Sequence, residues 1–282
     1  VKSLQQKKVR DEQGLFIVEG EKMVEEAISS PFKVESVYRR DEIGDEAMSR
    51  ITALANPSPV LAVVRKPEDS YIKDAEQLKP LLEKGGLFLA LDTIRDPGNL
   101  GTILRIADWF GIKAVFAAPD TVDLFNPKVV QSTMGAIFRV KMHYVDLPSL
   151  AKIVLASGGK VYGTFLDGKN IYQRELSNGD DAPSVIVIGN ESNGISEAMA
   201  ELVSDRLYIP PYPADQPGSE QEYSIDNLAG LFQSADHPGS EQKYSTEIFV
   251  LPRQSADQPE YNEKHSIGIL GLQWQPAAQP ES

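Results

Sequence analysis

The sequence has no cysteine and only three histidines, His143, His237 and His265, in 282 residues. The first absence removes disulfides, thiolate nucleophiles and every zinc site that relies on sulfur ligands. The three histidines are scattered, so metal catalysis would need an all-carboxylate centre, and no metal is expected. No apolar run approaches the ~20 residues of a membrane span, and no secretory pattern opens the chain. A soluble cytoplasmic protein with no membrane partner is therefore expected. Also missing are the Gly-x-Gly-x-x-Gly fingerprint after an opening strand and a Walker A loop, which argues against a dinucleotide enzyme.

What is abundant is negative charge: 41 acids against 28 bases, a net −13. That balance argues at first against a nucleic-acid partner, but it is unevenly spread. Residues 214–282 carry eleven acids and three bases, whereas the first ten residues hold Lys2, Lys7, Lys8 and Arg10 and no acid. Binding to RNA depends on a local basic face rather than on the total. The amino-terminal cluster fits such a face, or a solvated chain end.

Hydrophobic patterning divides the chain. Leu15–Val18 is a short apolar run, followed by a helical pattern over Glu21–Ser29, strands at Val34–Tyr38 and Val60–Val64, and a helix at Glu46–Ala55 between them. This describes a small α/β domain over residues 1–66. Residues 67–86 read as a connector carrying a short helix. From Leu87 the pattern changes: Leu87–Leu91 is too apolar for a half-exposed strand, and strands there and at Ala114–Ala117, Lys160–Phe165 and Val185–Ile188 alternate with helices at Asn99–Phe110 and Leu147–Ala156. That pattern predicts an open, mostly parallel α/β sheet over 87–213, with its binding crevice at the carboxyl ends of the strands.

Beyond Pro213 the character changes. Ala-Asp-Gln-Pro-Gly-Ser-Glu-Gln-Glu-Tyr-Ser at 214–224 returns at 235–245 with two changes, and shorter echoes begin at 256 and 277, all 21 residues apart. A solenoid could have this period, but the units lack a leucine ladder and each opens on a polar Pro-containing stretch. A disordered, duplicated tail over 214–282 is the better reading.

Three segments carry the chemistry. Asp96-Pro97-Gly98-Asn99-Leu100-Gly101-Thr102-Ile103-Leu104-Arg105 follows an apolar strand, with Asn99 as the expected helix cap. Leu100, Ile103, Leu104 and Ala107 form its apolar stripe, and Gly101, Arg105 and Asp108 share another face. Gly101 leaves a gap beside Arg105 where a ligand could sit; an exposed Arg105–Asp108 pair is the plainer alternative. Ile188-Gly189-Asn190-Glu191-x-x-Gly194-Ile195-Ser196 runs from a buried strand through a glycine-bracketed loop into a helix. It suits a ligand held through backbone groups, or a tight turn with Glu191 near the next helix. Leu207-Tyr208-Ile209-Pro210 is a short strand stopped by proline.

In order, Asn99-x-Gly101-x-x-x-Arg105, Thr133-Met134-Gly135-Ala136, Ile188-Gly189-Asn190-Glu191-x-x-Gly194-Ile195-Ser196 and Ile209-Pro210 resemble the SpoU (TrmH-type) RNA ribose methyltransferases of the SPOUT class. Lys2-Ser3-Leu4 through Gly14–Gly20 is similar to the substrate-binding domain that often precedes the catalytic one. The resemblance covers residues 1–213. It implies a trefoil-knotted α/β fold, S-adenosylmethionine as methyl donor, a homodimer, and methylation of a ribose 2′-hydroxyl in structured ribosomal or transfer RNA. It further implies catalytic work for Arg105, Asn99 and Glu191. Cofactor contacts would come from Ile188, Gly189, Asn190, Ile209 and Pro210, and RNA contacts from Lys7, Lys8 and Arg10. Where the family carries a Ser-Leu-Asn-Val-type segment after its last strand, this chain has Gly218-Ser219-Glu220-Gln221 and then the repeats. A catalytically inactive RNA-binding protein of the same fold is the alternative.

Overall fold

The structure, a computed structural model, describes residues 1–171, 182–190 and 192–209. The repeat tail, Pro210, Glu191 and the segment expected to complete a knot lie outside the described residues.

A basic helix α1 (Lys7–Gln13) leads into β1 (Leu15–Glu19), α2 (Glu21–Ser29), β2 (Val34–Arg39), the short helices α3 (Arg40–Ile43) and α4 (Asp45–Ile51), and β3 (Val60–Arg65). The strands form an antiparallel sheet in the order β1-β3-β2, whose central β3 is buried along five of its six residues. α2 buries Met23, Val24 and Ala27, while Ile28, the fourth apolar residue at helical spacing, is exposed. α4 ends at Ile51, short of the expected Ala55. Buried Glu19 accepts the amide of Ala53 at 2.7 Å and the hydroxyl of Thr52, which gives the chain a better partner than another helical turn.

A one-turn helix α5 (Lys79–Leu82) precedes the second unit: β4 (Gly86–Leu91), α6 (Pro97–Trp109), β5 (Val115–Ala117), α7 (Pro127–Ser132), β6 (Met142–Tyr144), α8 (Leu147–Ala156), β7 (Lys160–Asn170), β8 (Pro183–Ile188), α9 (Glu197–Ala200) and β9 (Asp205–Tyr208). The six strands pair in the order β6-β5-β4-β8-β7-β9, parallel throughout. β8 is buried at every residue, as a strand covered on both faces must be.

Two differences from the sequence reading have local causes. α6 begins at Pro97, and its cap is Asp96, whose carboxylate accepts the Asn99 amide at 2.9 Å; proline at the first helical position has its φ already set. Asn99 therefore sits inside the first turn instead of capping it. β7 runs on to Asn170 because, after a slip in register past Thr164, Lys169 and Asn170 pair again with Leu207 and Tyr208.

One apolar cluster joins the two sheets. Phe16, Val18 and Val24 pack with Leu100, Ile103, Phe125 and Val129, and the rings of Phe16 and Phe125 stand 4.9 Å apart. A second cluster, from α8 and α9, covers the opposite face of the parallel sheet. Arg10 departs from the expected surface role. It is 1% exposed, and its guanidinium is consumed by Asp123 at 2.5 Å and by the carbonyls of Leu4 and Gln5. It is a buried strut between α1 and the parallel-sheet unit, with no surface left for RNA.

Candidate functional site

The strand order fixes where a crevice can open. From β4 the chain builds outward through β5 to β6, then crosses to the other side of β4, so β4 and its neighbour β8 form the switch point of the sheet. The loops that leave their carboxyl ends diverge there. They are nonetheless laced together: the Asp92 amide donates to the Ile188 carbonyl at 2.8 Å, Asn190 Nδ2 donates to the Thr93 carbonyl at 2.8 Å, and the Ser196 amide donates to Asp92 Oδ2 at 2.7 Å. Asp92 is 5% exposed.

Asn190 organises the second loop. Its Oδ1 accepts the amides of Ser192 and Asn193, and its backbone exchanges two hydrogen bonds with Gly194. Gly189 is obligatory, because a Cβ there would lie 2.3 Å from the Gly194 carbonyl carbon and 2.4 Å from the Ile195 nitrogen. The loop thus closes on itself at the strand end, held by the Asn190 side chain and the Asn190–Gly194 backbone pair. Ile188 and Ile209 are both buried at the tips of their strands. Thr93 holds φ at 67°, a left-handed conformation unfavourable for a β-branched residue, while its hydroxyl bonds Asp120 at 3.0 Å. Asp92 and Thr93 escaped the sequence reading; two polar residues directly after an unbroken apolar strand were the available signal.

α6 carries the next group of residues. The space beside Gly101 is not a ligand gap. A Cβ there would stand 2.0 Å from Ser132 Oγ, so the glycine lets α7 pack against α6. Ser132 Oγ in turn donates to the Pro97 carbonyl at 3.0 Å. Nor does Arg105 pair with Asp108. Asp108 is taken by Arg139 Nη2 at 2.8 Å, and Arg139 also binds Glu26 of α2. Arg105 is half-buried, and among the described residues no carboxylate lies within ion-pair distance of it. Asn99 is half-buried one and a half turns earlier on the same helix. Glu191 and Pro210 lie outside the described residues.

Of the amino-terminal cations, Lys8 is exposed and loosely paired with Glu12 at 3.9 Å, and Lys7 is bound to Asp11 at 2.7 Å. Among the described residues no group of histidine, aspartate and glutamate gathers as a metal site, and no helix is long and apolar enough to cross a membrane.

The model of the SpoU rRNA Methylase family matches residues 86–216, and that of the MRM3-like substrate binding domain matches residues 1–66. The chain is 34% identical over 226 residues to the 23S rRNA (guanosine(2553)-2′-O)-methyltransferase RlmP of Bacillus subtilis, covering 75% of this chain and 86% of that protein. A TrmH-family protein from Porphyromonas gingivalis superposes with a TM-score of 0.70 at 32% identity, over 83% of this chain and 94% of that one. An AdoMet-bound rRNA methyltransferase from Sinorhizobium meliloti does so at 0.69 and 27% identity, over 82% and 90%.

Proposed function

The chain belongs to the SpoU rRNA methylase family, and from that premise we propose that it transfers a methyl group from S-adenosylmethionine to a ribose 2′-hydroxyl of ribosomal RNA. The observation that carries the site assignment is the lacing of the β4 and β8 loops at the switch point, on the sheet whose next helix bears a guanidinium with no carboxylate partner among the described residues.

The strand tips fit an adenosyl group. Ile188 and Ile209 offer buried apolar surface, and the closed Gly189–Gly194 turn ends β8 directly after Ile188. When bound, S-adenosylmethionine supplies a methyl carbon made electrophilic by a positively charged sulfur. The protein's task is then alignment, since the hydroxyl oxygen must approach in line with the departing sulfur. A ribose hydroxyl becomes nucleophilic only as its proton leaves, and negative charge grows on the oxygen. Arg105 is the residue assigned to that charge. A guanidinium holds its proton too firmly to be an easy base, so it grips the RNA phosphate and offsets the developing alkoxide. Asn99 and Glu191 are assigned to positioning Arg105 and the sugar, and Asn190 and Pro210 to shaping the cofactor pocket. A sulfonium needs no Lewis acid to leave, so no metal enters this reading. The family likeness also supports a homodimer, which light scattering tests, and a cytoplasmic location beside ribosomal RNA.

Tritium transfer from labelled cofactor to ribosomal RNA tests the proposal. Arg105→Ala should keep S-adenosylhomocysteine affinity and lose roughly 100-fold or more in turnover. A wild-type protein that binds the cofactor and labels no RNA would refute it.

A further inference from the structure

Away from the strand tips, a cleft of about 610 Å³ opens where α1, the end of β3 and residues 67–71 meet. Its floor is Tyr71, 42% exposed, with one face stacked on Tyr144 at 4.8 Å and 13° between the planes. Tyr144 is itself fixed: its hydroxyl donates to the Val122 carbonyl at 2.6 Å and accepts the Leu124 amide at 2.7 Å. The platform is therefore rigid, and among the described residues Tyr71 and Trp109 are the large aromatics left exposed.

Cations lie close to it. Lys66 Nζ lies 5.4 Å from the centre of Tyr71 and 4.9 Å from that of Phe125, with its side chain only 9% exposed. Lys7 Nζ lies 5.8 Å from Tyr71. Asp11 gives one oxygen to each ammonium, at 2.6 and 2.7 Å. The lining as a whole balances, with Lys7, Arg65 and Lys66 against Asp11, Glu12 and Glu68. A balanced cleft repels a bare phosphate's multiple charge as much as it attracts it. It matches a flat, uncharged ligand whose edge carries both donors and acceptors, which is the description of a nucleobase.

We propose that Tyr71 is a stacking platform for an unpaired base of the RNA substrate, its edge read by the Lys7–Asp11–Lys66 group. This rests on the proposed function only for the identity of the partner as RNA. Lys7, expected from sequence as an RNA contact, is thereby given base recognition as its part.

The test uses the full chain and fluorescence anisotropy with three probes: a 12-nucleotide adenosine RNA, the same strand with every base removed, and adenosine monophosphate. Wild type should bind the RNA about 10-fold more tightly than the abasic strand. Tyr71→Leu, which still covers Tyr144, should bring the RNA down to the abasic level and leave the abasic strand unaffected, while Tyr71→Phe should behave as wild type. On the unaltered protein, photocrosslinking of a 4-thiouridine 12-mer should recover the peptide containing Tyr71. Equal binding of the based and abasic strands, undiminished RNA binding by Tyr71→Leu, crosslinks confined to other segments, or binding of the monophosphate as tight as the RNA would each overturn the proposal. Failure of methyl transfer with these results intact would instead count against the catalytic reading alone.

Discussion

The guanidinium of Arg10 sits where water does not reach, between Asp123 and two main-chain carbonyls. Such a pair contributes little net stability beyond an apolar replacement, but removing one partner strands a charge. Arg10→Ala should therefore destabilise the fold by about 3–5 kcal/mol in urea unfolding. Arg10→Met combined with Asp123→Leu should cost markedly less than the single change. Lys8, exposed on the same helix, should behave in the opposite way. Lys8→Gln should leave stability unchanged, weaken RNA binding evenly across sequences, and lower the salt slope of log Kd by about 0.7–0.9 if it meets one phosphate. Asp11 adds a pH dependence. Burial opposes its ionisation, yet hydrogen bonds from Lys66 and Lys7 outweigh that and hold its carboxyl below the usual range. A lowered folded value means that its stabilisation is complete above the unfolded value near 4 and fades as pH falls through the folded one. Thermal unfolding of wild type and Asp11→Asn should accordingly differ at pH 7 and converge as pH falls through the lowered folded value.

The pairing of α6 with α7 depends on a missing side chain. Gly101→Ala should cost about 1–3 kcal/mol through overpacking. Ser132→Gly should restore only part of it, since the added Cβ also stands 2.8 Å from the Ser132 main-chain carbon. Periodicity located α2 and α8 at their observed ends, because each carries a clear apolar stripe and its own stop. It missed β6 and α7, three and six residues long, whose existence is decided by neighbours rather than by pattern. The same reason explains the site. Arg105 and the 188–196 loop could be found as motifs, but the lacing of Asp92, Thr93, Asn190 and Ser196 spans about a hundred residues and leaves no local trace. The meaning of Gly101 was inverted for a related reason: a sequence displays an absent side chain, not the atom that occupies its space. Tyr71, in a connector of unremarkable composition, gained significance only through Tyr144.

A single apolar cluster running from Phe16 and Val24 to Leu100 and Val129 means that neither sheet buries its inner face alone. Calorimetry of the folded protein should show one cooperative transition for the two sheets together. Two separated transitions, or a stable fragment beginning at residue 67, would contradict that sharing. The Arg139 bridge between Glu26 and Asp108 and the Arg10–Asp123 strut add polar ties across the same junction. RNA held at Tyr71 would thus be held by a body continuous with α6, so the distance from that platform to Arg105 is set by packing and not by a hinge.

The shared cluster also has a history as each molecule is made. By the time Arg65 has left the ribosome, the antiparallel sheet has all its strands, but Phe16, Val18 and Val24 must still wait for Leu100, Ile103, Phe125 and Val129. For several seconds at ordinary elongation rates a nascent chain carries these three strands with their apolar side uncovered. Whatever shields that side during translation sets how much of the protein ever reaches its working state.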